Sequence, residues 1–365
     1  MEKKLRLAVI VHGGVNSGHK GQGIPTLMTL LKELHLNVDL TVYSLAKLNT
    51  TNELSVKYVR GVGKLKYITL GLLFTKDHLI KRYDVVQAFW GFPSGVLANI
   101  LSAIFSVPSV VTLMGGETAS LPDINYGALK DEKGKKRVFQ LVRKANIVVA
   151  LSNYQIEFLK KSGFSDHSEI TIIPFGVKCS GRVKELPDSE IFNIVQVANI
   201  NSIKDHKTAI NAVNLVSERI NVHLKIVGGD FLNGKIQRYV AEKRLSDKIS
   251  FTGILTNEEV FTLIEESDLV LMSSRSEGQA VVFNEAMAQG VPFCATDVGL
   301  MQDLAGECCL TSTPGDFKGL ANNMIKVLTD ESLYRTLSQN GIEWTINNDL
   351  NTTVSKYLEV YKKLT

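Results

Sequence analysis

Short runs of apolar, β-branched residues alternate with amphipathic helical segments along almost the whole chain. In the first half this pattern predicts strands over residues 5–11, 38–43, 85–89, 109–113, 147–151 and 170–173. In the second half it predicts strands over residues 193–197, 223–227, 249–251, 269–272 and 292–295. Parallel strands joined through helices are the expected result, because a parallel strand pair needs a long crossover connection. The fold class is therefore α/β.

A length of 365 residues suits about two domains of ordinary size. Residues 179–190 are polar and contain Gly and Pro, which predicts a linker. We therefore expect one Rossmann-like domain over residues 1–180 and a second over residues 190–349. A last helical pattern within residues 350–365 is expected to cross back to the first domain. Doubly wound sheets bind ligands at the carboxyl ends of their strands, so we expect a cleft there.

Charge is unevenly distributed along the chain. The total of +4 combines a net charge of +10 over residues 1–180 with −6 over the rest. A basic first half is expected to attract an anionic membrane surface or a lipid-linked diphosphate, the alternative being a solvated charged face. The apolar run at residues 7–11 is too short for an export signal, so a cytoplasmic location is expected. The four cysteines have no CxxC spacing and are interpreted as reduced thiols.

The most informative segment reads SSRSEGQAVVFNEAMAQGVP over residues 273–292. It follows a predicted strand and runs into a helix, a context in which free backbone N–H groups favour an anion such as phosphate. Glu277 lies in the loop and Glu285 about one turn into the helix, where a carboxylate can accept ribose hydroxyls. Either glutamate alone could equally be a solvated charge. The loop and the helix start, at Gly278, Gln279, Ala280 and Val281, are expected to aim free backbone N–H groups at the strand-end cleft.

Three further segments follow predicted strands. Lys204 ends the segment INSIK and is the first residue of a helix predicted over residues 204–219. It is a candidate cation for a leaving diphosphate, with a solvated lysine as the alternative. Gly13 and Gly14 follow the first strand and allow close backbone approach to a diphosphate, with Asn16 nearby. Glu117 is a candidate contact for acceptor or sugar hydroxyls, against a solvated loop carboxylate.

Glu277 and Glu285 match the E-x7-E signature of the retaining GT-B glycosyltransferases of family four, and the surrounding EAMAQGVP and TDVG match it too. The chain resembles that family over nearly its whole length, most strongly over residues 190–300. The resemblance implies two Rossmann-like domains facing across a cleft and sugar transfer with retention of configuration. It implies that Glu285 binds the ribose, that Glu277 lies by the donor sugar and that Lys204 meets the diphosphate.

The chain departs from the family pattern at several positions. Asn199, a donor-site position, stands where many members have Arg, and Arg275 is a candidate substitute. Met114 replaces a common His, and Gln87 and Phe89 also stand where many members have His. These departures leave two alternatives open. One is a degenerate, non-catalytic subunit that pairs with an active transferase. The other is a nucleotide-sugar hydrolase or epimerase on the same fold.

The expected reaction moves a sugar from a UDP- or GDP-sugar to a glycan or lipid-linked acceptor, in cell-surface polysaccharide synthesis. The donor belongs to the second domain and the acceptor to the first. The nucleotide sugar is a substrate, so no cofactor is expected. The sequence has no DxD or HExxH motif and no Cys/His cluster with ligand spacing, so no metal is expected. A nucleic-acid partner is not expected either.

Overall fold

The computed structural model describes residues 4–15, 24–47, 54–165, 168–179 and 181–365. Its contacts divide the chain into two units, the first being Met1–Phe175 with Leu350–Thr365 and the second Gly176–Asp349. Each unit contains a parallel sheet flanked by helices, which confirms the predicted α/β class. Within the described residues, no helix combines the length and the apolar character that crossing a membrane requires.

The described residues of the first unit form a seven-stranded parallel sheet in the order β3-β2-β1-β4-β5-β6-β7. The strands are β1 (Arg6–Val11), β2 (Asp39–Ser44), β3 (Val56–Tyr58), β4 (Val85–Phe89), β5 (Ser109–Thr112), β6 (Ile147–Ala150) and β7 (Ile170–Ile172). The helices are α1 (Pro25–Asn37), α2 (Leu65–Ile80), α3 (Val96–Phe105), α4 (Glu132–Lys144), α5 (Asn153–Lys161) and the C-terminal helix (Leu350–Lys363).

Alternate residues of each strand face opposite sides of the first sheet and fill two separate cores. Val9 of β1 points into the core covered by α1 and the C-terminal helix. Its neighbour Ile10 points into the core covered by α2, α3 and α4. Helices therefore cover both faces of this sheet, and the strands between them are almost fully apolar.

The second unit contains a six-stranded parallel sheet in the order β10-β9-β8-β11-β12-β13. The strands are β8 (Phe192–Val197), β9 (Val222–Val227), β10 (Ile249–Gly253), β11 (Leu269–Met272), β12 (Phe293–Thr296) and β13 (Leu310–Ser312). The helices are α6 (His206–Val216), α7 (Lys235–Glu242), α8 (Asn257–Glu265), α9 (Val281–Ala288), α10 (Leu300–Asp303), α11 (Phe317–Thr329) and α12 (Glu331–Asn347).

The structure differs from the predicted organisation in two respects. The segment interpreted as a linker packs against the second unit: Gly181 N donates to Ala288 O (2.8 Å) and Lys184 N to Ser338 Oγ (2.7 Å). The polar composition of this segment reflects its position at the surface, whereas its backbone hydrogen bonds hold it on the second unit. β3 and β13 were not predicted, because the sequences VKY and LTS mix apolar and polar residues and lack the apolar run that marks β7.

Candidate active site

The second sheet reverses its winding between β8 and β11, which are neighbours in the sheet. β8 continues through α6 to β9 on one side, whereas β11 continues through α9 to β12 on the other. Open parallel sheets bind ligands beside the carboxyl ends of strands at such a point. The predicted donor residues lie on the two segments that leave these strands. Lys204 lies in the loop after β8, since α6 begins at His206 and not at Lys204 as the sequence predicted.

Lys204 and Glu277 form an ion pair across the two loops. Their side chains are 24% and 13% exposed, so the pair is partly shielded but still reachable from solvent. The side-chain oxygen of Asn201 accepts hydrogen bonds from the N–H groups of Ile203 (3.0 Å) and Lys204 (3.1 Å), which fixes the turn that presents the lysine. Two residues far apart in sequence are thus brought together at one point.

Buried polar contacts join the loops that carry this ion pair. Ser273 Oγ lies 2.9 Å from the carbonyl oxygens of both Lys204 and Asp205. Gln196 Nε2 donates to the same hydroxyl at 3.1 Å, and Arg275 N donates to Ile203 O at 2.7 Å. These bonds hold the loop after β11 against the loop after β8. Sequence reasoning gave Ser273 and Gln196 no role, although both lie at strand ends where such contacts form.

The loop after Glu277 enters α9 without a side-chain cap. Ala280 adopts a left-handed conformation (φ 63°) directly before Val281, the first residue of the helix. Gly278 and Gln279 are buried against the loop. Backbone N–H groups at a helix start without a side-chain cap can bind an anion, and the anion site predicted for this segment stays a prediction.

Glu285 lies on α9, eight residues after Glu277, and is half-buried. Burial raises the pKa of its carboxyl above the ordinary value of 4.5. No hydrogen bond or ion pair to this carboxylate occurs within the described residues, so nothing there offsets the lost hydration. A half-buried carboxylate without a donor can accept hydrogen bonds from the hydroxyl groups of a ligand.

Gly299, at the turn after β12, packs directly on the glutamate loop. Its backbone is left-handed (φ 62°), and a Cβ there would lie 3.0 Å from both Glu277 Cβ and Gly278 O. A side chain at this position would therefore push against the loop that carries Glu277. The TDVG segment was predicted only as a match to the family pattern. The close contact between Gly299 and the glutamate loop, about twenty residues earlier in the chain, leaves no local pattern in the sequence.

Asn199 occupies an exposed position after β8, where its Oδ1 accepts a hydrogen bond from Gly229 N at 2.9 Å. The amide therefore joins the loops after β8 and β9. Arg275, the candidate substitute for a missing cation, is half-buried and lines a pocket of about 540 Å³ beside α6 and α7. The same pocket is lined by the cations Lys207, Lys235 and Arg238 and by the acids Asp205 and Glu242, so its lining carries a net positive charge.

The first sheet reverses its winding in the same way, between β1 and β4. Gly13 and Gly14 follow β1 at this point, and Gly14 is left-handed with φ 79°. A Cβ on Gly14 would lie 3.1 Å from the ring of Trp90, which follows β4. Both glycines are only half-buried, so the turn leaves backbone accessible to a ligand. Asn16, predicted beside them, lies outside the described residues.

Glu117 is placed differently from either sequence expectation. Its carboxylate is buried and accepts backbone hydrogen bonds from Gly91 N (2.5 Å), Met114 N (3.1 Å) and Gly115 N (3.1 Å). Burial raises the pKa of this carboxyl, and the three amides oppose that shift. The geometry favours a residue that fixes the loop after β5 over one that contacts sugar hydroxyls, since both oxygens already have donors.

The other departures from the family pattern are mainly interior positions. Gln87 is buried on β4, where it donates to Thr112 Oγ1 (3.0 Å) and accepts from the Tyr361 hydroxyl (3.1 Å). Phe89 stacks near Phe175 in the same core. Both positions thus serve the packing of the first unit. Met114 is half-buried at the end of the loop after β5.

Residues 191–330 match the family model of the glycosyl transferases group 1, a range that includes Lys204, Glu277 and Glu285. This match lies within the second unit of the chain. The chain is 29% identical over 231 residues to the putative teichuronic acid biosynthesis glycosyltransferase TuaC of Bacillus subtilis. That match covers 61% of this chain and 56% of TuaC, so the chain aligns with little more than half of its relative.

Solved structures resemble this chain over nearly its full length. The sucrose-phosphate synthase of Thermosynechococcus elongatus superposes with a TM-score of 0.80 at 19% identity, covering 99% of both chains. Anabaena HepE, solved in complex with UDP and glucose, gives a TM-score of 0.76 at 18% identity and covers 98% of this chain and 100% of HepE. Likeness at this identity shows the fold, and the fold is GT-B, as the sequence resemblance implied.

Proposed function

We propose that this protein moves a hexosyl group from a UDP- or GDP-sugar to a hydroxyl of a glycan or lipid-linked acceptor, with retention of configuration. The observation that supports this most directly is Glu285, a half-buried carboxylate without a partner among the described residues. It follows an uncapped helix start and the Lys204–Glu277 ion pair. Ribose hydroxyls would satisfy the carboxylate, while the diphosphate would meet the helix start and the lysine.

In the proposed reaction the bond between the anomeric carbon and the diphosphate oxygen breaks first. The acceptor hydroxyl attacks the same face of the sugar, and its proton passes to the departing diphosphate. Lys204 and the N–H groups near Val281 stabilise the charge that develops on the diphosphate. Glu277 holds Lys204 before the donor binds and lies beside the sugar afterwards. Backbone at Gly278, Gln279 and Ala280 borders the sugar and diphosphate.

Contributions from the first unit are proposed for two segments. Gly13 and Gly14 offer accessible backbone at the winding reversal of the first sheet and, together with Asn16, are proposed as ligand contacts of that unit. Asn199 is proposed to shape the donor site through its bond to Gly229. Glu117 is proposed to keep the loop after β5 in place beneath the acceptor.

No metal and no cofactor are proposed for this reaction. Lys204 and the helix start of α9 provide the positive and polar groups that a diphosphate requires. Within the described residues, no cluster of three His, Cys, Asp or Glu side chains has metal-binding geometry. We therefore expect the rate of transfer to be the same before and after treatment with a chelator.

The acceptor and the location are proposed from charge and from relatives. The name of TuaC refers to teichuronic acid synthesis, and we propose a similar role here in cell-surface polysaccharide synthesis. The net charge of +10 over residues 1–180 supports attachment to an anionic surface at the cytoplasmic face of a membrane. The partners would be the nucleotide sugar, the acceptor and anionic lipid, without nucleic acid.

A non-catalytic subunit is the second candidate, favoured by Asn199 in place of a phosphate cation. The purified single chain distinguishes the two. Its unfolding temperature is measured with each nucleoside diphosphate, and turnover of the matching sugar is then followed with and without chelator. Stabilisation followed by transfer with retained anomeric configuration is the expected result. Stabilisation without any turnover supports the subunit, and turnover to free sugar alone supports a hydrolase.

Glu285→Ala tests the site itself, with the exposed helical Glu343→Ala in the same unit as the matched control. Loss of two hydroxyl contacts to a charged acceptor should weaken nucleotide binding by about 2–4 kcal/mol. Calorimetry on both variants measures this directly. If Glu285→Ala binds every tested nucleoside diphosphate as tightly as Glu343→Ala does, the ribose assignment is wrong.

A further inference from the structure

Three helices, α2, α3 and α4, lie side by side on one face of the first sheet. Leu70, Leu101 and Leu141, one from each helix, are buried in the same core. The rings of Phe74 on α2 and Phe105 on α3 are 5.4 Å apart between centroids. Asn99 Nδ2 on α3 donates to Leu141 O on α4 at 3.0 Å. The outer surface of this layer is called the α2–α4 face below.

The α2–α4 face exposes most of the large apolar side chains found at the protein surface. Within the described residues, ten of the sixteen exposed large apolar side chains lie between residues 62 and 104. They are Val62, Leu65, Tyr67, Ile68, Leu72, Leu79, Ile80, Val96, Ile100 and Ile104. Such a concentration on one surface is characteristic of a binding surface, because a solvated helix layer scatters these residues.

Helical spacing puts these residues into continuous stripes. Leu65, Ile68, Leu72 and Leu79 follow the three- and four-residue spacing of one side of α2, opposite the buried Phe74. Leu72 is 68% exposed and Leu79 77% exposed, so these side chains stand almost free of the fold. On α3 the same arrangement recurs with Val96, Ile100 and Ile104 at intervals of four residues.

The charges that accompany these stripes are cationic. Between residues 54 and 115 the acidic residues are Asp77 and Asp84. Asp77 binds Lys57 (2.6 Å) and the Tyr43 hydroxyl, and Asp84 accepts the backbone N–H of Arg6 (2.7 Å). Both acids are thus engaged within the fold. The exposed cations of α2 and α4 include Lys64, Lys76, Lys133, Arg137 and Lys144.

A groove of about 730 Å³ lies between α3 and α4 and combines both properties. Phe92, Val96 and Ile100 line its apolar side. Arg137 and Lys144 line the opposite side, with the Arg137 guanidinium 4.7 Å from the centre of the Phe92 ring. Cations beside an apolar trough match the headgroup and the first methylenes of an anionic lipid.

We propose that the α2–α4 face is the surface by which this protein inserts shallowly into an anionic bilayer. The inference rests on the proposed membrane attachment and names the residues that enter the lipid. The apolar stripes would enter the interface while the surrounding lysines and arginines contact headgroups. A second copy of the chain fits less well, since two such faces would bring mainly cations together, and the exposed acid Glu132 at the start of α4 already pairs with Lys135.

Cosedimentation with vesicles of phosphatidylcholine and phosphatidylglycerol in equal parts tests the proposal at low and high salt. The apolar variant is Ile68→Ser/Leu72→Ser/Ile100→Ser. Its matched control is Phe231→Ser/Ile254→Ser/Ile346→Ser, which removes exposed apolar residues of the second unit. The apolar variant should lose at least roughly tenfold in vesicle partitioning, because it removes three aliphatic side chains whose transfer out of water drives insertion. The control should bind like the wild type.

A second variant separates the insertion of apolar side chains from the electrostatic attraction to lipid headgroups. Reversing Lys133, Lys135, Lys136 and Arg137 to Glu should abolish binding at low salt, whereas the apolar variant should keep a weak, salt-sensitive association. Thermal unfolding verifies that each variant is folded. If the apolar variant partitions like its control, the insertion face is wrong while attachment stands. If the wild type stays in the supernatant at both salts, attachment and insertion are both wrong, and the transfer assay decides the enzymatic proposal independently.

Self-association is the remaining outcome and is measured by sedimentation velocity without lipid. A wild-type dimer that the apolar variant dissociates, together with no vesicle binding, would overturn the membrane proposal in favour of a second copy. A monomer in both cases, with vesicle binding lost in the apolar variant alone, is the expected result.

Discussion

Glu117 is buried and Glu285 is half-buried, and burial raises the pKa of each carboxyl, yet their surroundings differ. Glu117 has three backbone N–H donors, whereas Glu285 has no partner within the described residues. The first arrangement stabilises a loop, and the second is costly unless a ligand supplies donors. At the scale of single residues, a deficit of hydrogen bonds distinguishes a binding carboxylate from a structural one.

The sequence predicted the Glu277/Glu285 pair from its spacing because both lie on one continuous loop and helix. It could not predict the placement of Glu117, since one of its donors, Gly91 N, lies 26 residues earlier in the chain. A carboxylate in a Gly-rich loop looks like a solvated or ligand-binding group when its remote partner is unknown. Contacts between distant loops carry no local pattern.

Because the Glu285 carboxylate has no hydrogen-bond donor within the described residues, the free energy of unfolding should depend on pH. A carboxyl whose pKa is raised on folding disfavours the folded state when ionised, so its penalty is absent below the ordinary pKa and grows as pH rises through the folded pKa. Glu285→Gln should therefore unfold at a higher temperature than the wild type near pH 7, and this difference should vanish towards acidic pH. Thermal unfolding between about pH 4 and pH 8 measures it.

In the presence of the matching nucleoside diphosphate, the order of the unfolding temperatures of wild type and Glu285→Gln should reverse. Ribose hydroxyls would satisfy the carboxylate, so the nucleotide should stabilise the wild type more than Glu285→Gln. Equal unfolding temperatures at every pH, with equal nucleotide stabilisation, would show that the carboxylate is fully hydrated and does not bind ribose.

At the scale of elements, the donor site is made by loops rather than by regular structure. The sequence placed most strands and helices correctly because apolar periodicity is strong where both faces are covered. It placed Lys204 in a helix, whereas in the structure α6 begins at His206 and Lys204 lies in the loop before it. Asn201 holds the turn before Lys204, and Ser273 ties it to the neighbouring loop. These loop contacts depend on sheet order, which periodicity does not determine.

Gly299 provides a test of how strictly the glutamate loop must be held. Gly299→Ala places a methyl group 3.0 Å from Glu277 Cβ, so the loop has to shift. Gly306→Ala is the matched control, because Gly306 is also left-handed (φ 81°) but has no atom within 4 Å of the added Cβ. Both variants carry the cost of a left-handed alanine, on the order of 1 kcal/mol.

Only Gly299→Ala should weaken nucleotide binding and transfer beyond what the shared stability loss explains. We expect a reduction of roughly tenfold or more in donor turnover, since small displacements of catalytic groups are costly. Titration calorimetry and initial rates on both variants measure the difference. The positioning role of Gly299 is refuted if the two alanine variants are equally active.

At the scale of the whole molecule, the chain leaves the first unit, builds the second and returns. The sequence predicted the returning C-terminal helix but not its contacts. Tyr357 and Tyr361 are fully buried beneath the first sheet, where they bond Thr112 and Gln87 through their hydroxyls. The departure of Gln87 from the family pattern thus coincides with a tyrosine supplied from the far end of the chain. A pair separated by 274 residues is beyond any local sequence rule.

The packing of the C-terminal helix on the first unit predicts which unit each buried tyrosine stabilises. Tyr361→Phe removes the hydroxyl that bonds Gln87 and leaves a buried amide oxygen without its donor, at a cost of about 1–3 kcal/mol. Tyr334→Phe is the matched control in the second unit, where the hydroxyl donates to Asp268 O at 2.9 Å. Hydrogen exchange followed by mass spectrometry locates each loss. Tyr361→Phe should speed exchange in β4 and β5, and Tyr334→Phe in β8 and β11, because each tyrosine supports its own core. Faster exchange in β8 after Tyr361→Phe, with β4 unchanged, would contradict the assignment of the C-terminal helix to the first core.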